Sequence, residues 1–239
     1  MPARSLDRIL QSQGFGTRKQ CRTMIARGQV KVAGGIARDP ALAFELDGLA
    51  VEVDGEPWRC TARVYIALHK PAGYECSRKP EHHQSVLSLL PAPYITRGVQ
   101  PAGRLDQDSS GLLLLSDDGA FIHAISSPKR HVEKTYLVTT RDPVADELIA
   151  RLLDGVQLHK EKHPVAALAC RATGTHQLEL KLDQGKYHQV KRMLAAAGAA
   201  CEELQRTAIG ALRLSDLALE SSQWCALGAR EMKLVSSQP

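Results

Sequence analysis

Leucines 112–115 form the one run of four consecutive leucines in this chain, and what flanks them restricts how it can fold. Four residues make a strand, far short of the ~20 apolar residues of a membrane-crossing helix. Ahead of the block runs Gly103-Arg104-Leu105-Asp106-Gln107-Asp108-Ser109-Ser110-Gly111, and behind it Ser116-Asp117-Asp118-Gly119. Asp118-Gly119 is a natural strand-to-helix turn. Asp106, flanked by an arginine and small polar residues, therefore sits at the mouth of an apolar strand. A carboxylate placed there can serve as a nucleophile, because a rigid element fixes it while its loop keeps it reachable. Taken alone, an aspartate in a turn is more often a loop or capping residue, and Asp108, Asp117 and Asp118 read that way.

With 239 residues, 44% hydrophobic and 24% charged, the chain can bury a real core, as two domains or one large one. Residues 1–20 carry Arg4, Asp7, Arg8, Arg18 and Lys19, which leaves no apolar core for a signal peptide. A soluble, cytoplasmic protein is the expectation. The six cysteines (21, 60, 76, 170, 201 and 225) form no C-x-x-C pair and read as free thiols. No closely spaced histidine and cysteine ligands suggest a metal site.

The net charge of +5 is unevenly spread. Residues 1–38 hold Arg4, Arg8, Arg18, Lys19, Arg22, Arg27, Lys31 and Arg38 against the single acid Asp7, a local balance of +7. Leu6, Ile9 and Leu10 have helical spacing that stops near Gly14 and Gly16. Thr17-x-x-Gln20 has the form of a capping box that opens a second helix, with Cys21, Met24 and Ile25 inward and Arg18, Lys19, Arg22 and Arg27 toward solvent. Gly28 is placed to end it. Val30 and Val32 alternate as in a half-buried strand, Gly34-Gly35 suits a hairpin turn, and Val51 and Val53 mark a strand before Asp54-Gly55. A solvated helix face is the bland account of these charges; their density on two helices and a hairpin favours a nucleic-acid surface. The arrangement resembles the S4 RNA-binding domain, carried by Leu6-Asp7-Arg8-Ile9-Leu10, Thr17-Arg18-Lys19-Gln20 and the stretch from Ile25 through Gly28 and Val32 to Gly34. Arg4, Arg8, Arg18, Lys19, Arg22, Arg27 and Lys31 are the candidate RNA contacts.

Residues 56–63 read as a linker between domains at 1–60 and 61–239. Beyond it, 65–68, 134–138, 178–182 and 211–214 read as strands, and 119–126, 145–153 and 188–197 as helices. Strands dominate without a strict βαβ rhythm, so the fold class is α+β, with a mixed, largely antiparallel sheet flanked by helices. Residues 236–239 read as a frayed tail.

Three segments carry the chemistry: residues 103–119, Glu133-Lys134-Thr135-Tyr136, and Gly185-Lys186-Tyr187-His188-Gln189-Val190-Lys191-Arg192-Met193-Leu194. With the S4-like start, and with His69-Lys70-Pro71 and Leu204-x-Arg206-x-x-Ile209-Gly210, they resemble the RsuA group of ribosomal RNA pseudouridine synthases over roughly residues 4–234. The resemblance implies a uridine-to-pseudouridine isomerase with Asp106 as nucleophile and Lys191 as the basic partner that keeps it ionised. It also implies that Tyr136 packs against the target base, that Arg104 fills the space left by the flipped nucleotide, and that Arg192 contacts RNA. His188 and Gln189 support the pocket by hydrogen bonds. No metal or organic cofactor is implied, since the product is an isomer. The implied partner is ribosomal RNA, free or in a small-subunit assembly intermediate, met by a monomer with no membrane. The likeness favours 16S rRNA, at position 516.

Relatives acting on 23S rRNA share these motifs, and a non-catalytic ribosome-assembly factor could retain the same fold. A glycoside hydrolase using Asp106 and Asp108 as paired carboxylates is a weaker alternative, because i, i+2 spacing on a turn is a poor signal and the basic module would go unexplained.

Overall fold

The computed structural model describes residues 3–236, which fall into two compact units. The first holds the chain up to Val64 with Leu87–Gln100 and Ser116–Asp118; the second holds Tyr65–Val86, Pro101–Leu115 and the chain from Gly119 onward.

The first unit begins with β1 (Arg4–Ser5) and α1 (Leu6–Gln13), which buries Leu6, Ile9 and Leu10 completely. Gly14 ends α1 at φ +94°, and a Cβ there would stand 2.0 Å from the Pro93 carbonyl oxygen. Only glycine satisfies both demands. Thr17 caps α2 (Arg18–Ala26) through the reciprocal bonds its sequence predicts: Gln20 N–H donates to Thr17 Oγ1 at 3.3 Å, and Thr17 N–H to Gln20 Oε1 at 2.8 Å. Next come β2 (Val30–Val32), β3 (Gly35–Ile36), β4 (Ala43–Phe44), β5 (Ala50–Val53) and β6 (Glu56–Arg59). Four of them form a sheet ordered β3-β2-β5-β6, while β1 pairs with β4.

Two local expectations are corrected. The first hairpin turns at Ala33 and Gly34, both at positive φ, one residue earlier than Gly34-Gly35; Gly35 already pairs with Val32. Residues 56–59 are a strand and not linker, because Asp54 (φ +52°) and Gly55 (φ +87°) make a tight turn that folds β6 back on β5. A short helix, α3 (Ala92–Arg97), belongs to this unit through Arg97. Its guanidinium pairs with Asp117 at 2.6 Å and donates to Gln13 Oε1 at 2.9 Å and the Ala62 carbonyl at 2.8 Å.

The second unit contains β7 (Tyr65–Lys70), β8 (Tyr74–Glu75), β9 (Gln84–Ser85), β10 (Gln100–Pro101) from Pro101, β11 (Ser110–Ser116) as far as Leu115, α4 (Gly119–Ser126), β12 (Lys134–Thr140) and α5 (Asp146–Asp154). It continues with β13 (Ala169–Gly174), β14 (Gln177–Leu182), α6 (Gln189–Ala196), β15 (Cys201–Ile209), β16 (Leu212–Arg213), β17 (Trp224–Ala226) and α7 (Ala229–Ser236). Of the expected tail, Ser236 closes α7 and 237–239 lie outside the described residues.

The sheet runs β13-β14-β12-β15-β11-β7-β17. Pairs β12–β14, β12–β15, β13–β14 and β7–β17 are antiparallel and β11–β15 is parallel, so the α+β class with a mixed, largely antiparallel sheet holds. Alternation sorts its faces. Tyr136 and Val138 of β12, and Leu178, Leu180 and Leu182 of β14, point into a core shared with Leu148 and Leu152 of α5 and Met193 and Leu194 of α6. Leucines 112–115 are all fully buried, so β11 runs through the middle of the unit. Among the described residues no helix is long and apolar enough to cross a membrane.

Candidate active site

The loop carrying Asp106 is fixed from behind. Lys70, at the end of β7, is 0% exposed, and its ammonium donates to the carbonyls of Pro71 (2.9 Å), Gln107 (3.2 Å) and Ser109 (2.7 Å). Gly73 N–H also donates to Gln107 O at 2.7 Å, and Ser109 N–H closes the turn on Asp106 O at 3.1 Å. Burial pulls the Lys70 amine below its ordinary range, while Cys76, Asp108 and Asp106 act the other way. The second brace is Arg206 on β15, 2% exposed, whose guanidinium donates to Leu112 O at 2.8 Å and Arg104 O at 3.3 Å. Gly111 lies directly beside it, at φ +107°, paired with Arg206 across the parallel strands.

These constraints leave the Asp106 carboxylate 27% exposed. It opens onto a cavity of about 390 Å³, lined also by Arg104, Ser109, Lys134, Tyr136, Tyr187, His188 and Arg206. A larger space of about 660 Å³ is lined by Thr135, Leu137, Lys181, Gln205 and Thr207, the alternate residues of the same strands, and so opens on the opposite face of the sheet. The carboxylate, the buried tyrosine and the cations converge on the smaller cavity, which makes it the candidate site.

Asp106, Tyr136 and Arg104 are thus brought together as the sequence predicts. Lys191 is not: its ammonium lies 2.5 Å from Asp108 Oδ1, and Lys191 is absent from the cavity lining. The basic side chain facing Asp106 is His188, with Nε2 3.2 Å from Oδ1. The backbone accounts for the exchange. His188 caps α6 in the left-handed region (φ +47°), which aims its ring at Asp106, while Lys191 sits further along the helix and meets the outer carboxylate. Asp108, read from sequence as structural, is therefore a partner of α6. Burial acts to raise its pKa, but the Lys191 hydrogen bond and charge bring it below the usual carboxylate range.

Arg192 is also spent locally. It donates to Tyr187 O at 3.3 Å and to His159 O, and stands 3.9 Å from Glu161. Gln189 Oε1 accepts from Lys186 N–H at 2.9 Å, the supporting role its position suggested. Lys134, Lys70 and Arg206 are site residues that the charge pattern did not single out. The Lys134 amine is pushed down to about 8, chiefly by burial and further by Arg206, against the pull of Asp183.

In the first unit Arg8, Lys19 and Arg27 are exposed, as is Arg4. Arg18 and Arg22 are only partly free: their Nε groups donate to buried Asp7 at 2.8 and 2.7 Å, and Ser5 Oγ donates to the same carboxylate at 2.5 Å. Burial works to raise the Asp7 pKa, yet these three donors hold it well below the carboxylate range. Lys31 pairs with Glu52 at 2.6 Å.

Residues 64–196 match the family RNA pseudouridylate synthase, and residues 4–45 match the S4 domain. The chain belongs to the RNA pseudouridylate synthase family. It is 40% identical to ribosomal small subunit pseudouridine synthase A of Escherichia coli strain K12, over 89% of this chain and 92% of that protein. With the enzyme of the same name from Salmonella typhimurium it shares 40% identity over 88% and 91%. A protein of Bacillus subtilis described as an uncharacterized RNA pseudouridine synthase is 34% identical over 97% of this chain and 98% of its own. A crystal structure of a pseudouridylate synthase superposes with a TM-score of 0.68 at 33% identity, covering 97% of this synthase and 99% of that chain.

Proposed function

We propose that this synthase converts one uridine of small-subunit ribosomal RNA to pseudouridine with Asp106 as the nucleophile. The observation that carries the assignment is the convergence of the Asp106 carboxylate, the buried Tyr136 ring and the Arg104 guanidinium on one cavity sized for a single everted nucleoside. The substrate class follows from the small-subunit synthases it resembles at 40% identity over about nine-tenths of its length, and from its basic S4 unit.

The reaction breaks the C1′–N1 glycosidic bond, turns the uracil and joins C5 to C1′; the C5 proton is lost and N1 gains one, so the product is an isomer. The Asp106 carboxylate attacks sugar C1′ or base C6, or assists elimination; all three routes need it ionised and held against the nucleoside. The His188 imidazole is the near polar partner, and buried Lys70 adds a cationic field from behind the loop. Tyr136 presents its ring to the uracil. Arg104, exposed at the cavity edge, meets phosphate and the gap left by the flipped nucleotide. Ser109 Oγ and Arg206 Nη2 are buried polar atoms with no hydrogen-bond partner among the described residues, both on lining residues, and they suit acceptor and donor groups of a polar base. Lys191 acts through Asp108 as a positioning residue that ties α6 to the Asp106 loop. In the first unit Arg4, Arg8, Lys19 and Arg27, with the outer nitrogens of Arg18 and Arg22, grip the RNA backbone.

The test is to map carbodiimide-dependent reverse-transcription stops in ribosomal RNA from cells with and without this protein. One pseudouridine lost from 16S rRNA, with position 516 the favoured site, is the expected result. Loss from 23S rRNA instead would move the substrate to the other subunit, and an unchanged map would reject the assignment.

A further inference from the structure

Tyr187 is the one tyrosine among the large exposed hydrophobic side chains of the described residues, at 73% exposure, and it stands at the rim of the Asp106 cavity. It does not hang free. Its ring lies on the His188 imidazole with centroids 3.9 Å apart and planes 15° from parallel. Its carbonyl accepts from Arg192, whose other contacts, to His159 O and Glu161, fasten the segment to the loop before β13. His188 beneath it keeps a positive φ of 47°, unusual for a residue with a side chain, and reaches Asp106 with Nε2 at 3.2 Å. Backbone in that region costs on the order of 1–3 kcal/mol and persists where the surroundings enforce it. The segment thus holds an exposed aromatic ring stacked on the histidine that reaches the nucleophile.

An outward aromatic ring bordered by cations is what an unpaired nucleobase recognises, since every base has a π-face and its phosphates seek positive charge. Arg104 and Lys134 line the same cavity. Resting on the reading of the site as an RNA uridine isomerase, we infer that Tyr187, stacked on His188, is the platform for a base next to the target uridine. That base extends the stack outward while the uridine turns inward to Asp106, so Tyr187 sets how the RNA is registered over the nucleophile. It is a positioning residue and touches no reacting atom.

The experiment compares Tyr187→Ala, Tyr187→Phe and Tyr187→Trp with the wild-type full chain, using a small-subunit rRNA transcript. Stacking on one base predicts a KM for Tyr187→Ala raised about 5- to 150-fold. Tyr187→Phe and Tyr187→Trp, which keep the face, restore it. The loss falls on KM rather than kcat, because a base that stays stacked throughout binds ground state and transition state alike. Tyr187→Trp also reports directly: after subtracting the wild-type signal of Trp58 and Trp224, its indole emission is quenched when RNA binds. A KM for Tyr187→Ala within twofold of wild type overturns the inference, as does a Phe variant as impaired as Ala, or an indole signal indifferent to saturating RNA. Quenching with no pseudouridine formed by wild type would leave the platform standing and remove the isomerase reading beneath it.

Discussion

Replacing Gly111 by alanine tests how the site is built without touching a polar group. A Cβ at this position would stand 2.3 Å from Arg206 O and 2.6 Å from Arg206 N, both backbone atoms of the adjacent parallel strand. No rotamer relieves such a clash, so β11 and β15 must part by about 1 Å to reach ordinary contact. The residue also holds φ +107°, where a side chain is strained by about 1–2 kcal/mol. Forcing a methyl group between packed backbones adds about 1–3 kcal/mol. A loss of about 2–5 kcal/mol lowers the melting transition of the second unit by roughly 10 °C, read by circular dichroism. The same displacement loosens the Arg206 bonds to Leu112 and Arg104 and shifts the Asp106 loop. An error of ~1 Å at a reacting group costs on the order of 100-fold in turnover. A variant that melts within about 2 °C of wild type and forms pseudouridine at its rate would refute the close-approach argument.

Other consequences are checkable. Lys70→Met removes the ammonium that holds three loop carbonyls; turnover is expected to fall on the order of 100-fold while far-ultraviolet dichroism is unchanged, and a fully active variant would contradict the brace. Asp7→Asn leaves two half-exposed guanidiniums without their carboxylate and should cost about 1–3 kcal/mol in chemical denaturation of the first unit. The folded Asp7 pKa lies below the unfolded value of ~3.9, so its stabilisation is complete above that pH and fades as acid titrates the folded carboxylate; the Asn variant should lack this acid dependence. Lys134, with a folded pKa of about 8, sheds its charge across pH 7–9, and the salt dependence of RNA binding should shallow over that range in wild type but not in Lys134→Gln. Its unfolded pKa is higher, so the unfolded chain binds the extra proton between about 8 and ~10.4 and this group's contribution to stability rises with pH there.

Where side-chain period and local capping decide an element, the sequence is readable. The Thr17 capping box, the 119–126 helix and the alternation of β12 and β14 emerge as expected. β15 does not announce itself: Cys201-Glu202-Glu203-Leu204-Gln205-Arg206 is rich in helix formers, and only its pairing with β12 and β11 makes it a strand. Ala211 to Leu214 shrinks to a two-residue strand because a 3₁₀ turn begins at Leu214. At the site, Asp106, Tyr136 and Arg104 are visible through their motifs. Lys70 and Arg206 stand in motifs of the same resemblance, but their bracing role is not legible there, because charge in a sequence reads as exposure while these cations are buried on backbone carbonyls. Strand parity offered a clue, since Arg206 shares its face with Leu204. The exchange of partners among Asp106, Asp108, His188 and Lys191 depends on a positive φ at one histidine, a conformation no residue pattern here encodes.

The central claim is that the Asp106 carboxylate is the reacting group. Single-turnover pseudouridine formation on small-subunit rRNA, measured for wild type and Asp106→Asn at equal RNA occupancy, addresses it most directly. Product from wild type and none from the amide, with RNA binding retained, is the predicted result. Equal product from Asp106→Asn would contradict it.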